Sequence, residues 1–555
     1  MKAIIQASVS LLALGTLLCG AASSYATDIA ELPLKASVLA KPNVIFGLDD
    51  SGSMDSEVML NTNDGAFWWD YNAAAGWDGT GKPWFNSAGN ANDQWRKMVY
   101  LFPNGNGAGA RVYTDANTDH FAIPPTSQLA FLRSSDYNPL YYNPKESYAP
   151  WAPAYVSGAK TSYMNANTAA AKSHPVHGVG TLDLGVSRAL TNAEHNTFMA
   201  LPGMKIPAGS ATCPHPGGGA CAVWTAEVAE RTVPANTILR LAMSYYPATY
   251  YVKEACALAG DTCVAAPDGS TLQRYEIKNG NAFPGGRSYA DELQNFANWW
   301  QYYRKRKLML AASMGKVLEP LTGLRMGVVK FNNRADVTMY DIDSLLPSTN
   351  GLKVAGIFYE TSGSGGTPTR ETLKYIGEQY RNNSVIQYAC QRNNAFIVTD
   401  GFANNGGVTP PVYDKATWGA GAPYATTYDN TLADIALSYY TVNLKPGMTS
   451  GRVPKGALDL NPDLHMNSYG LTLGARGTIY AAENTPPPAA AGDWPNPTAA
   501  RSPTAVDDLW HATINGRGKM YLATTPEETA LRIQSGLTDI LSQTGAQGGI
   551  AVSTV

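Results

Sequence analysis

The rhythm of apolar positions changes twice along the chain. Residues 44–48, Val-Ile-Phe-Gly-Leu, form a short unbroken apolar run, as a parallel strand buried on both faces does. That run leads straight into Asp49-Asp50-Ser51-Gly52-Ser53. From 55 to 288 long periodicity is lost. Segments such as Asn138-Pro139-Leu140-Tyr141-Tyr142-Asn143-Pro144 are aromatic and rich in turn residues, which predicts one large insertion of short strands. Regular spacing returns at Asp291. Leu293, Phe296, Trp300, Tyr303, Leu310, Met314 and Val317 share one helical face, predicting a single long helix that ends before Pro320. Strands are predicted at 324–331, 337–342, 395–399 and 469–473, and helices at 370–380, 432–440 and 525–541. The last helix has Thr525 as cap, Pro526 in its first turn, and Glu527 and Glu528 at the positive end of its dipole. Residues 486–503 read as a Pro/Ala-rich loop. Strands alternating with helices predict an α/β fold with a doubly wound, mostly parallel sheet flanked by helices.

Composition narrows the class. At roughly 100–200 residues per domain, 555 residues suggest two or three units. Charged residues make up 15% of the chain, against roughly 25% in an average soluble protein. The difference is filled by 53 Gly, 35 Pro and 31 Tyr, which suit long ordered loops. A net charge of −3 provides no field that draws nucleic acid or anionic lipid. Lys2, the apolar stretch 3–18 and Ser24-Tyr25-Ala26 predict a secretory signal peptide, residues 1–26, followed by a leader, 27–40. No later run reaches the ~18 uninterrupted apolar residues of a membrane helix. The mature chain is therefore expected in the periplasm or at the cell surface, and not as an integral membrane protein. Cys213 with Cys221, and Cys256 with Cys263, suit two short-range disulfides. Cys390 is left over as a partly buried thiol, and a rearranged pairing such as 213–390 stays open.

The candidate chemistry sits at strand ends. Asp49-x-Ser51-x-Ser53 follows an apolar strand, at the sheet edge where α/β proteins bind ligands. Gly365-Gly366-Thr367 forms a loop before a helix, and Asp400 ends the strand at 395–399. Two carboxylates and three hydroxyls are hard oxygen donors, suited to Mg²⁺, Ca²⁺ or Mn²⁺ and not to Zn²⁺. Two Asp neutralise the ion; the neutral hydroxyls leave it electrophilic, with a position for a carboxylate from outside. The plainer alternative is a polar loop cluster that caps helices without metal. Asp-x-Ser-x-Ser alone is a weak pattern; Gly-Gly-Thr and Val398-Thr399-Asp400-Gly401 make it specific. Together they resemble the metal-ion-dependent adhesion site of von Willebrand factor A domains, with Asp49, Ser51, Ser53, Thr367 and Asp400 matching residue by residue.

A wider resemblance rests on six further motifs. These are Lys41-Pro42-Asn43-Val44, the 138–144 block with Pro150-Trp151, Asn295-Phe296-Ala297-Asn298-Trp299-Trp300, Gly365-Gly366-Thr367-Pro368, Thr431-Leu432-Ala433-Asp434-Ile435-Ala436 and Asp507-Asp508-Leu509-Trp510-His511. Across about 41–545 the chain resembles the N-terminal part of the PilY/PilC-type tip adhesins of bacterial type IV pili. The resemblance implies a discontinuous A-type domain, 41–54 and 289–545, interrupted by the insertion 55–288. It implies adhesion and a part in pilus assembly and retraction, with minor pilins at the fibre tip and a host-cell or surface ligand as partners. A structural variant of this reading makes the metal a clamp for three loops in a protein that primes the tip complex. The family carries a C-terminal β-propeller, toward which 546–555 would be a linker.

Other signals are weaker. Gly76-x-x-x-x-Gly81-Lys82 lacks the hydroxyl of a phosphate loop, since Pro83 follows, and reads as a surface turn. Asp115-x-Asn117-x-Asp119 begins like a calcium loop, but His120 stands at its turn position. His174-x-x-His177 and Cys213-x-His215 have some metal-ligand spacing. Trp68, Trp69, Trp77, Trp84 and Trp95 are expected to pack the insertion, and Arg304-Lys305-Arg306-Lys307 to form a solvated helix face. No His-Glu-x-x-His or Gly-x-Ser-x-Gly motif is present, and no general base stands beside the proposed ion, so the chain is expected not to be an enzyme.

Overall fold

The computed structural model describes residues 40–543 apart from 61–64, 66, 70–96, 103–119, 178–179, 191–197, 215–222, 258–262, 344–347, 383, 405 and 498–501. Six strands make the central sheet: β1 (Asn43–Leu48), β2 (Leu324–Lys330), β3 (Tyr340–Ile342), β4 (Asn393–Thr399), β5 (Met466–Leu473) and β6 (Arg517–Ala523). Their order is β3-β2-β1-β4-β5-β6, parallel throughout except for β3. β1 lies between β2 and β4 with every residue buried, which is why its sequence is an unbroken apolar run. This is the α/β architecture that the strand–helix alternation predicts.

Among the described residues the longer helices are α1 (Tyr289–Tyr302), which carries the insertion, and α2 (Arg306–Leu318), α3 (Thr349–Tyr359), α4 (Thr369–Asn382), α5 (Leu432–Thr441), α6 (Thr504–Asn515) and α7 (Pro526–Gln543), which flank the sheet. Alternate residues of β1 enter two cores. Val44, Phe46 and Leu48 pack with residues of α2, α3 and α7, and Ile45 packs with residues of α4, α5 and α6. Phe46 stacks on Phe396 with centroids 5.0 Å apart and meets Phe358 edge-on at 5.9 Å. Burying one such ring contributes about 1.5–3 kcal/mol.

Between the Asp49–Ser53 loop and α1 the chain builds several small sheets. One joins Arg188–Leu190, Phe198–Ala200, Ala211–Pro214, Thr225–Ala226 and Leu239–Tyr245; another joins Thr249–Lys253, Cys263–Ala265 and Thr271–Glu276. α1 is the ridge on which this region rests. Tyr141 meets Trp299 at 4.7 Å, Tyr142 meets Phe296 at 5.0 Å, and Trp299 Nε1 donates to Leu140 O at 3.0 Å. Asn295 Oδ1 accepts from Tyr148 N at 2.7 Å, and Asn298 Nδ2 donates to Tyr148 O at 2.8 Å. The described chain from Ala40 onward is one compact unit.

Several expectations need correction. The single helix predicted across 291–317 is two, because α1 ends at Tyr302 and α2 begins at Arg306. The Arg304–Lys307 run is not a solvated face; its residues are 0–6% exposed and sit at this break. Successive residues of an unbroken helix point roughly 100° apart, so four adjacent cations cannot all face one acidic loop unless the helix is interrupted. β3 covers only Tyr340–Ile342 of the strand predicted at 337–342. α3, α6 and β6 are elements that the apolar pattern does not predict.

Cys256 is bonded to Cys263, Cys213 is also disulfide-bonded, and Cys390 is a half-buried free thiol. Among the described residues no helix is long and apolar enough to cross a membrane. The signal peptide, residues 27–39 of the leader, the 546–555 linker, Cys221, His215, the 76–82 turn, the 115–119 loop and Trp77, Trp84 and Trp95 lie outside the described residues, as do the side chains of Trp68 and Trp69.

Candidate metal centre

Register places the two acids together. Leu48 of β1 pairs with Val398 of β4, so both strands run out at the same edge. Asp49 N–H donates to Val398 O at 3.0 Å, carrying the ladder one residue past β1. Asp49 then accepts from Ser51 N–H at 2.8 Å on Oδ1 and from the Thr399 hydroxyl at 2.6 Å on Oδ2. The Ser51 and Ser53 hydroxyls are 3.0 Å apart. Asp400 follows Thr399 directly. Gly401 then takes φ +115°, a left-handed conformation that bends the chain away from the sheet.

Thr367 arrives from a third loop. Gly52 N–H donates to Gly365 O at 3.2 Å, and Ser364 N–H donates to Asp50 O at 2.7 Å. Gly365 has φ +92°, and a Cβ there would lie 2.7 Å from the Asn332 side chain. Asn332 bonds Asp50 Oδ1 and Gly366 O through its Nδ2, at 2.9 and 2.7 Å. On the other side, Asn404 Oδ1 accepts from Thr367 N–H at 2.5 Å, while Asn404 N–H donates to Thr367 O at 3.0 Å. The three loops are thus tied at one edge, with Asp49, Ser51, Thr367 and Asp400 buried and Ser53 half-buried.

The electrostatics of this edge are set first by two buried acids on neighbouring strand ends. Burial, and next the neighbouring charge of Asp400, push the Asp49 carboxyl up to about 7, against the pull of its bonds to Ser51 and Thr399. Two buried acids, two serine hydroxyls and a threonine hydroxyl form a donor set that suits a hard divalent cation. The residues present therefore fit the ion expected from the sequence.

A buried cation cluster, unforeseen from the sequence, backs the loop. Lys305 and Lys307 reach Asp55 at 2.6 and 2.5 Å, Arg304 reaches Glu57 at 2.9 Å, and Arg306 reaches Asp400 at 3.0 Å. Asp55 and Glu57 also hold the insertion. The Tyr100 hydroxyl donates to Asp55 at 2.8 Å and Leu101 N–H donates to Glu57 at 2.7 Å. A signal was present: four cations inside an otherwise apolar helix pattern, with Asp55 and Glu57 just beyond the serine loop.

The histidine pair is taken up structurally. His174 Nδ1 accepts from the N–H groups of Val176 and His177, both at 3.1 Å, and His177 Nε2 bonds Glu360 O at 2.8 Å. Among the described residues no group of three or more His, Cys, Asp or Glu side chains is placed to hold a metal ion.

No protein-family model matches the chain. In sequence it is similar to the type IV pilus biogenesis factor PilY1 of Pseudomonas aeruginosa. It is 25% identical to the protein of one strain over 340 residues, 53% of this chain and 28% of the relative. It is 25% identical to that of a second strain over 309 residues, 46% of this chain and 26% of the relative. The chain thus spans only about a quarter of the length of these curated relatives. Among solved structures, the vWF domain of the type V pili tip protein Mfa5 from Porphyromonas gingivalis is 13% identical, with 45% of this chain and 92% of that one covered and a TM-score of 0.22. An aerotolerance-related membrane protein from Bacteroides fragilis is 11% identical, with 42% and 89% covered and a TM-score of 0.21. The sequence relatives bear out the PilY/PilC-type resemblance, and they are named as biogenesis factors, not as enzymes.

Proposed function

We propose that this PilY1-like chain serves the type IV pilus as an adhesion and assembly factor. It would receive a partner's Asp or Glu carboxylate on a divalent cation held by Asp49, Ser51, Ser53, Thr367 and Asp400. The observation that carries the reading is the pair of buried acids on adjacent strand ends, Asp49 pushed up by burial and next by Asp400, beside three hydroxyls. Bound Mg²⁺, Ca²⁺ or Mn²⁺ supplies an electrophilic position for an outside carboxylate. The chain does the rest: Thr399 and the Ser51 N–H orient Asp49, Asn404 and Asn332 fix the Thr367 loop, and Gly401 aims Asp400.

Partners of the right chemistry are minor pilins at the fibre tip and a host-cell or surface ligand that presents an acidic side chain. The signal peptide would take the chain out of the cytoplasm to meet them. Binding, and not catalysis, is the reading the donor set supports, because the proposed ion occupies both acids and Asp400 is further engaged by Arg306. The alternative, an ion that merely clamps the loops, is less favoured. Gly52–Gly365, Ser364–Asp50 and Asn332–Asp50 already tie those loops through protein hydrogen bonds.

Binding of the chain to immobilised minor pilins of its own organism tests the proposal. Capture in Mg²⁺ that is lost in EDTA and in Thr367→Ala supports it. Capture indifferent to both, with melting temperature falling in EDTA, returns the ion to a clamp.

A further inference from the structure

Arg306 begins α2 and is 1% exposed. Its backbone N–H donates to Ser56 O at 3.1 Å. Its Nε and Nη2 both donate to Val58 O, at 3.2 and 3.0 Å, and its Nη1 donates to Asp400 Oδ2 at 3.0 Å. The guanidinium is therefore clamped between a main-chain carbonyl and an acid of the five-oxygen cluster. Arginine stays charged under all ordinary conditions, and its planar fork fixes where that charge sits. The neighbouring cations are directed elsewhere, Lys305 and Lys307 to Asp55 and Arg304 to Glu57.

We infer that Arg306 is a resident counter-cation of the metal site, whose guanidinium on Asp400 Oδ2 weakens divalent-ion binding so that the ion exchanges and is not held permanently. The inference rests on the metal reading above. With Arg306 in place, Asp49 and Asp400 present to an incoming ion a formal charge of −1 in place of −2. A fixed positive charge close to a second cation in a poorly solvated site costs far more than it would in water. Being anchored at Val58 and Ser56, Arg306 cannot swing into solvent when an ion enters. The cluster then senses divalent ions at the concentrations outside the cell, where a fully acidic pair would stay saturated.

The test is calorimetric titration of the whole chain with MgCl₂ and with MnCl₂, for wild type, Arg306→Gln and Arg306→Lys. Melting curves in EDTA report whether each variant folds. Arg306→Gln is expected to bind roughly tenfold more tightly or better, the scale on which neighbours of metal ligands act, while melting at a lower temperature. Arg306→Lys keeps the charge but loses the fork, and should fall between the two. It decides the matter if the glutamine variant fails to fold. A purely structural Arg306 would lower the melting temperature and leave affinity equal or weaker, and that result overturns the inference while the metal site stands. Binding by Arg306→Gln where wild type shows none supports it. Absence of saturable binding in all three overturns the metal reading and this inference with it.

Discussion

Lys305 Nζ lies 2.6 Å from Asp55 Oδ2, joining residues 250 positions apart. Both side chains are almost wholly buried, 3% and 0% exposed. Burial by itself would raise the Asp55 carboxyl, but Lys305 and Lys307 hold it well below the usual carboxylate range. The pair also answers a problem in α2. A helix that starts with Arg306 and Lys307 places cations at the positive end of its dipole, and the carboxylates of Asp55 and Asp400 supply the missing negative charge.

Removing that carboxylate should be costly. Asp55→Asn leaves the buried Lys305 and Lys307 without their acid, and a broken buried pair costs about 3–5 kcal/mol. Urea unfolding is expected to show the loss in full. A change below about 1 kcal/mol, the scale of an exposed pair, would mean that the cations reach solvent.

Gly401 should resist any side chain. Its φ of +115° disfavours an L-residue, and a Cβ there would lie 2.3 Å from Ala475 Cβ. Gly401→Ala is expected to lose about 1–3 kcal/mol from backbone strain alone, and to weaken divalent-ion binding by moving Asp400. An unchanged melting temperature would contradict the packing described at this turn.

Acid should unfold the protein partly through His511. This ring stacks on Trp494 at 3.9 Å, and its Nε2 bonds Tyr424 O at 2.8 Å. Burial pushes its pKa down from 6.5 to about 4. The unfolded chain then binds the proton more readily than the folded one, so stability is intact above 6.5 and falls as pH drops toward about 4. The loss amounts to about 3 kcal/mol by linkage. Melting temperature against pH should fall less steeply for His511→Gln over this interval, and an identical slope would remove His511 from the account.

What the sequence shows, and what it hides, follows from where each signal is stored. β1 and β4 are legible because buried parallel strands are apolar on both faces, and Asp49 and Asp400 are legible because each ends one of them. α6 was missed because Asp507, Asp508 and His511 interrupt its apolar pattern. Asp507 accepts three backbone N–H groups from 478–480, and Asp508 accepts those of Leu432 and Ala433 while bonding Arg370. Their partners lie far off in the chain, so the residues look misplaced until the fold assembles them. The same holds for residues 304–307. Four cations in a row suggest a wet surface, and only the distant Asp55, Glu57 and Asp400 make them a core.

The most direct measurement of the central claim is calorimetric titration of the purified chain with Mg²⁺, beside Asp49→Ala and Asp400→Ala. The account predicts saturable binding near one ion per chain that both substitutions abolish, in proteins that still fold. Saturable binding that survives both, or no binding by either the unsubstituted chain or Arg306→Gln, would contradict it.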